Sequence, residues 1–243
     1  MFIEYDFHTH TVHSHGKGTI EDNVKVALKK GLKAVAITDH GPGHFSYGMD
    51  RKKIKSMREE IENLKKVYPN IEIKFGVEAN IISPSGQLDI GDEREYFDFI
   101  LAGYHYGALG SNPVKSLGVI GTNFLADKIG LKSKKLIHIN TNSIIRALYE
   151  NDIYILTHPG DKAAVDIKEV VRACVETDTL LEINNSHGHL NVEEIKIAAL
   201  EENAKFIINS DAHRPEDVGS FDTGLQRALE AGLPLTRIIN VRE

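Results

Sequence analysis

Histidines and carboxylates recur in this chain directly after short apolar runs: His8, His10, His15, His40, Glu78, His105, His158, Asp211 and His213. Neutral imidazole nitrogens and carboxylate oxygens are the donors that zinc, iron, manganese and related divalent ions accept, and the two oxygens of Glu78 or Asp211 can bridge a pair of ions. In Asp6-Phe7-His8-Thr9-His10 one residue separates the two imidazoles, so on an extended strand both face the same side. A lone histidine is ordinarily a surface or hydrogen-bonded residue. Nine donors at equivalent places in the chain instead point to a buried metal cluster and, through activation of water, to hydrolytic chemistry.

Such a cluster needs a scaffold that carries distant segments to one place. Apolar runs at 2–7, 34–37, 71–77, 99–102, 153–156, 180–183 and 206–209 read as seven strands. Between them Ile20, Val24, Ala27, Leu28 and then Ile54, Met57, Ile61, Leu64 repeat at helical spacing, and Gly31 reads as a helix stop. Further helices are predicted over 141–150, 167–177, 192–202 and 223–231, with only a short turn over 91–96. This alternation predicts a single α/β domain with a parallel sheet closed into a barrel, a seven-stranded (β/α)7 relative of the eight-fold TIM barrel. Chemistry in such barrels sits at the carboxyl ends of the strands. Candidate donors follow six of the seven runs, and Asn184, Asn185 and Ser186 follow the remaining one.

The stretch 106–140 interrupts the rhythm. It holds Gly107, Gly110, Gly118, Gly121 and Gly130 and an apolar piece at 119–129 that would form a short helix. A connection of this length is uncommon without structure or function of its own. Because it leaves the active end beside His105, a substrate lid is the expectation, with a structural excursion or an oligomer contact as the alternative.

Bulk properties narrow the setting. A chain of 243 residues suits one α/β barrel, and a net charge of −6 argues against sequence-independent binding of long nucleic acids while leaving a small anionic substrate open. Cys174 is the only cysteine, on the apolar side of a helix, so no intramolecular disulfide or cysteine-rich zinc module can form and a catalytic thiol is not expected. Glu4 and Asp6 near the start do not fit a signal peptide, and no apolar stretch approaches the roughly 20 residues that span a bilayer. A cytoplasmic protein without membrane contact is expected; nothing in the sequence marks its oligomeric state.

Together, Asp6 to His10, Ile37-Thr38-Asp39-His40-Gly41-Pro42, Gly76-Val77-Glu78-Ala79-Asn80, Ala102-Gly103-Tyr104-His105, Thr157-His158-Pro159-Gly160, Leu181-Glu182-Ile183-Asn184-Asn185-Ser186 and Ser210-Asp211-Ala212-His213 resemble the PHP family of metal-dependent phosphoesterases (polymerase and histidinol phosphatase), in particular its YcdX-like phosphatase branch. The resemblance implies a distorted barrel with up to three divalent ions, zinc first and manganese or iron as alternatives. It implies His8, His10, Glu78 and Asp211 around one ion, Glu78, His105 and His158 around a second, and His15, His40 and His213 around a third. Of the two histidines in the first loop, the register of residues 16–19 favours His15 over His13. His44, Asn185, Ser186 and His187 are candidate substrate contacts; His138 and His189 read as solvated, and Asp39 and Asp161 could orient ligands.

The reaction so implied is hydrolysis of a small phosphate ester by a metal-activated hydroxide held by Glu78 and Asp211. Histidinol phosphatase and small-nucleotide phosphoesterase activities are alternatives within the class. An amidohydrolase-like C–N hydrolase is another class, disfavoured because no lysine follows the fourth strand run. A noncatalytic metal-stabilised module is disfavoured by the full set of donors.

Overall fold

Strands covered on both faces read as continuous apolar runs, and such runs form the centre of this molecule. The computed structural model describes residues 2–108, 123–125 and 133–242. Seven strands, β2 (Tyr5–Asp6), β3 (Ala34–Ile37), β4 (Glu72–Asn80), β5 (Phe99–Gly103), β6 (Ile155–Leu156), β7 (Leu180–Asn184) and β8 (Phe206–Asn209), lie side by side in chain order, each parallel to the next. Helices α1 (Ile20–Lys29), α2 (Ile54–Val67), α3 (Lys134–Glu150), α4 (Ile167–Glu176) and α5 (Val192–Ala199) lie between them in the chain, and α6 (Asp222–Glu230) follows β8.

Side-chain alternation divides the apolar residues into two cores. Ala34, Ala36, Phe99, Leu101, Ile155, Leu180 and Ile207 join Phe7 as one cluster inside the barrel. Their neighbours Val35, Ile37, Ile100, Leu156, Leu181, Ile183, Phe206 and Ile208 face outward, in the larger core they share with the helices. The strand register pairs Glu78 with Leu101 and Glu182 with Ile207. Both carboxylates therefore belong to the interior face, above the apolar plug.

Among the described residues no strand ladder joins β8 back to β2. The circle closes just beyond the strands, where Thr9 and Ala212 form a parallel bridge and His10 N–H donates to the Ala212 carbonyl at 2.8 Å. The structure corrects several expected boundaries. The first run splits at Glu4: β1 (Phe2–Ile3) pairs antiparallel with β9 (Val241–Arg242), while the buried Glu4 carboxylate turns to Lys33 and Arg242. β4 runs on to Asn80, past the expected end at 77.

The helix expected from 141 starts at Lys134, seven residues earlier, inside the stretch read as an insertion. Its buried face carries Asn140, Thr141 and Ser143, which interrupt the apolar period. They are satisfied by hydrogen bonds: Asn140 exchanges two with Asn123, at 2.9 and 2.8 Å, and donates to the Ala164 carbonyl. Of the helix expected over 119–129, only residues 123–125 are described, and they are helical. Most of the expected lid, 109–122 and 126–132, lies outside the described residues. Cys174 is buried in α4, as its spacing predicts. Among the described residues no helix is long and apolar enough to cross a membrane.

Candidate metal centre

The strand ends bring the nine candidate donors together at one end of the barrel. His8 and His10 follow β2, His40 follows β3, Glu78 sits within β4, and His105, His158, Asp211 and His213 follow β5, β6 and β8. His8 and His10 bring their Nε2 atoms to 3.1 Å, and His10 Nε2 is 3.1 Å from Asp211 Oδ1. Glu78 is the hub: its Oε1 lies 2.9 Å from His158 Nε2, 3.1 Å from His105 Nε2 and 3.3 Å from His8 Nε2, and its Oε2 lies 2.7 Å from His40 Nδ1.

Three triads have donor atoms within 4.8 Å of one another: His8, His10 and Asp211; His40, Glu78 and His105; His10, His40 and His213. The grouping differs from the expected sets. His10 reaches toward His40 and His213 as well as His8, Glu78 is not in the group of His8, His10 and Asp211, and His40 rather than His158 stands with Glu78 and His105. His158 and His15 join none of the triads; the His15 ring centroid is 4.1 Å from that of His213 and 4.8 Å from that of His40. His13 does not line the cavity; its backbone N–H donates to Thr11 Oγ1.

These donors fit divalent cations. His40 Nδ1 and Glu78 Oε2 face each other at 2.7 Å, yet both are buried without a hydrogen-bond partner, as is His15 Nδ1. Lone pairs converging on one point without hydrogens between them leave a cation as the group that satisfies both sides. Burial, reinforced by neighbouring imidazoles, pushes His10 well below the ordinary histidine range and His15 down to about 4; burial, with His40 and His158 beside it, likewise outweighs Glu78 to bring His105 to about 4. Burial would raise Glu78, but His105, His8 and His40 hold it well below the carboxylate range, and His8 and His10 with His187 do the same for Asp211. These groups are thus deprotonated donors. Against burial, the carboxylates of Glu182, Asp211 and Glu78 raise His8, and Glu78 raises His158; these are protons that a bound cation displaces.

A supporting layer fixes ring orientation. Fully buried Glu182 takes His8 Nδ1–H at 2.8 Å through Oε1, while its Oε2 accepts from Thr157 Oγ1 and the His158 backbone N–H at 2.7 and 2.9 Å. Asn80 Oδ1 lies 2.8 Å from His105 Nδ1, and Asp89, which also takes the Gly43 N–H, holds the Asn80 amide in turn. Neither Glu182 nor Asn80 was assigned a role from the sequence, although a carboxylate inside the run Leu180–Asn184 was a readable signal. Asp39 accepts from the backbone and hydroxyl of Thr11 and from Ser14, fixing the loop that presents His15. His158 and Asp211 have φ of 28° and 54°, a left-handed conformation uncommon for such residues, so the turns after β6 and β8 are held by their surroundings.

Seven of the nine candidate donors, all but the fully buried His8 and His10, line a cavity of 430 Å³. Of the candidate substrate contacts, the structure brings His44 and His187 to it. Both His44 nitrogens are engaged by backbone, Nε2 by the Tyr106 carbonyl and Nδ1 by Ser46 and Tyr47 N–H groups. His187 lies 3.3 Å from Asp161 and 3.3 Å from Asp211, and Asp161 and Lys162 share its side of the mouth. Asn185 and Ser186 do not line the cavity. The Asn185 side-chain oxygen accepts from Thr223 and Gly224 at the start of α6, and the Ser186 hydroxyl donates to the Ser210 carbonyl.

Fold and donor set define a metal-dependent phosphoesterase barrel. The chain belongs to the PHP domain family, whose sequence model matches residues 6–186. It is 30% identical to a probable phosphatase of Proteus mirabilis (strain HI4320), with 97% of this chain and 89% of that protein covered. It is 31% identical to a probable phosphatase of Shewanella sp. (strain MR-4), over 99% of this chain and 88% of the relative. In three dimensions it is similar to the histidinol phosphate phosphatase of Lactococcus lactis, solved with zinc, L-histidinol and phosphate; the TM-score is 0.61 at 14% identity, with 96% and 95% of the two chains covered, a likeness of fold.

Proposed function

We propose that this chain hydrolyses small phosphate monoesters, with His8, His10, His15, His40, Glu78, His105, His158, Asp211 and His213 holding up to three divalent ions, zinc first among them. The observation that carries this reading is the convergence of donors from six strand ends, several without hydrogen-bond partners, around a 430 Å³ cavity. Ions bound there supply Lewis-acid polarisation of the phosphoryl oxygens and activation of water at neutral pH. The chain's own residues do the rest. Glu182 and Asn80 lock His8 and His105 with Nε2 aimed inward, the Asp39 network presents His15 rather than His13, and His187 and Lys162 line the same cavity, available to the alcohol part of a substrate. A cytoplasmic setting is part of the proposal, supported by a single buried cysteine that leaves no disulfide to form.

The test is a panel assay on protein prepared without chelator and analysed for bound metals. More than one transition metal per chain is expected, with turnover of phosphomonoesters, little of diesters, and loss of activity on chelation that added metal restores. The L. lactis neighbour was solved with L-histidinol and phosphate, so histidinol phosphate belongs in the panel beside nucleotides and sugar phosphates. Asp211→Asn should lower metal content and turnover together. Turnover of a cyclic amide but no ester would move the protein to the amidohydrolase class, and fully metallated protein inert toward every substrate would leave a binding module.

A further inference from the structure

His15 differs from the other candidate donors in what holds it. Glu182 fixes the His8 ring, Asn80 that of His105, and the Asp211 carbonyl takes His213 Nδ1–H at 3.0 Å. Among the described residues no hydrogen bond orients the His15 ring, and its buried Nδ1 has no partner. It is half-buried, as is His213, beside the triad of His10, His40 and His213. What lies against it is a set of rings: His213, Tyr47, His40 and His10, with centroids 4.1, 4.4, 4.8 and 5.8 Å away. Three of these are themselves candidate donors. Tyr47 is not.

Tyr47 lines the cavity, 47% exposed, with its ring stacked on His15 and the two planes 28° apart. A ring this exposed gains little from its own burial, yet the loop that carries it is tightly built. After His40 the chain doubles back on itself: Met49 N–H donates to the His40 carbonyl at 3.0 Å, and the Met49 side chain is buried. Between them His44 is the platform. Its Nε2–H donates to the Tyr106 carbonyl and its Nδ1 accepts from the Ser46 and Tyr47 N–H groups, so backbone occupies both nitrogens, and its ring lies 4.8 Å from that of Tyr47 at 21°. Gly48 lets the turn close, since a Cβ there would lie 2.7 Å from the His44 carbonyl oxygen and 2.8 Å from that of Gly41. The Tyr47 ring is thus fixed independently of any ion. An imidazole resting on it needs less ordering when an ion binds, and partners that orient a ligand in this way strengthen binding.

We infer that Tyr47 is a positioning residue of the metal centre: the face of its ring, not its hydroxyl, holds His15 toward His40 and His213 and so sets the affinity of the most exposed ion site. This rests on the metal-centre reading and adds to it a residue that ligates nothing itself.

Zinc-loaded protein, dialysed against a graded series of chelator concentrations and analysed for zinc per chain, reads each site by the order in which it empties. In the wild type one ion should leave ahead of the rest, and His15→Ala identifies it by lacking that ion. Tyr47→Leu should release the same ion at about tenfold lower chelator, the low end of what such orienting partners contribute, with the remaining ions and the circular dichroism spectrum unchanged. Tyr47→Phe, which keeps the ring, should match the wild type. Because Tyr47 acts through His15, Tyr47→Leu should add nothing to His15→Ala in the double variant. Wild-type retention in Tyr47→Leu, equal weakening of every ion, an additive double variant or a phenylalanine variant as weak as the leucine one each overturns the inference while His15→Ala still loses its ion. Tyr47→Gln gives the same reading if the leucine variant does not fold. If His15→Ala keeps every ion, His15 is no ligand, and the metal assignment falls together with the inference.

Discussion

Glu182 is the residue whose role the structure changed most. In the sequence it is one acidic letter in an apolar run; in the barrel its two oxygens accept from His8, Thr157, the His158 backbone, Asn184 and Asn209. Several charge-assisted bonds compensate its burial, and His8 and His158 pull its carboxyl down to about 2 although desolvation works the other way. By fixing which His8 nitrogen carries hydrogen, it sets the nitrogen that faces His10 and Glu78. Partners of this kind typically contribute 10–100-fold to metal affinity or activity. Glu182→Gln keeps the shape and loses the charge, so turnover is expected to fall about 10–100-fold and metal titration to show weaker binding, while the circular dichroism spectrum stays that of the folded barrel. Wild-type metal affinity in that variant would mean that His8 is oriented by Thr157 instead.

At the scale of elements, the question is what holds a helix against the strands that carry a ligand. Asp98, just before β5, accepts the Phe75 N–H of β4 at 2.8 Å and pairs with Arg58 of α2 at 2.5 Å, while the Arg58 guanidinium lies over the Phe75 ring and reaches the Tyr96 carbonyl. One carboxylate thus ties α2 to the two strands that carry Glu78 and precede His105. Burial would raise the Asp98 carboxyl, but the Arg58 and Phe75 hydrogen bonds bring it below its ordinary value. A carboxyl depressed in the folded state stabilises above its unfolded pKa, and that contribution is lost as pH falls through the folded value. Asp98→Asn should cost about 1–2 kcal/mol at pH 7, read from urea unfolding, and the gap from wild type should narrow below about pH 4. A gap independent of pH would mean that the interaction is packing of Arg58 rather than charge. Elements with clean periodicity, α1, α2 and α4, were legible because their buried faces are apolar, save for Asn23 in α1. The start of α3 was not, because Asn140, Thr141 and Ser143 face inward there.

For the whole molecule the weak point of a seven-stranded barrel is its seam. Asn240, fully buried near the end of the chain, accepts the Ile208 N–H and donates to the Ile208 and Tyr5 carbonyls at 2.7 and 2.9 Å, so a single amide stitches β8 to β2. The family match ends at 186, yet closure depends on residues beyond it. Asn240→Ala leaves buried backbone groups unpartnered and should destabilise the fold by about 3 kcal/mol, measured by urea unfolding. Because the seam separates Asp211 from His8, metal affinity is expected to weaken in the same variant. A loss below about 0.5 kcal/mol, within the range of an ordinary surface substitution, would show that the Thr9–Ala212 bridge closes the barrel unaided.

The sequence by itself determined the strand-helix alternation and the barrel, and it marked the nine candidate donors, because each is written locally: period two or period 3.6 in the apolar residues, and a histidine or carboxylate at or just past the run. It also favoured His15 over His13 through the register of the residues that follow. What only the tertiary structure decided are the relations between segments far apart in the chain. The sharing of His10 and His40 among neighbouring triads, the clamp of Glu182 on His8 across 174 positions, the turning of Asn185 toward α6, and the stacking of Tyr47 on His15 depend on which strand ends become neighbours around a closed circle. Closure is a property of the whole sheet, set by its twist and by a seam of few hydrogen bonds, and no local pattern of residues encodes it.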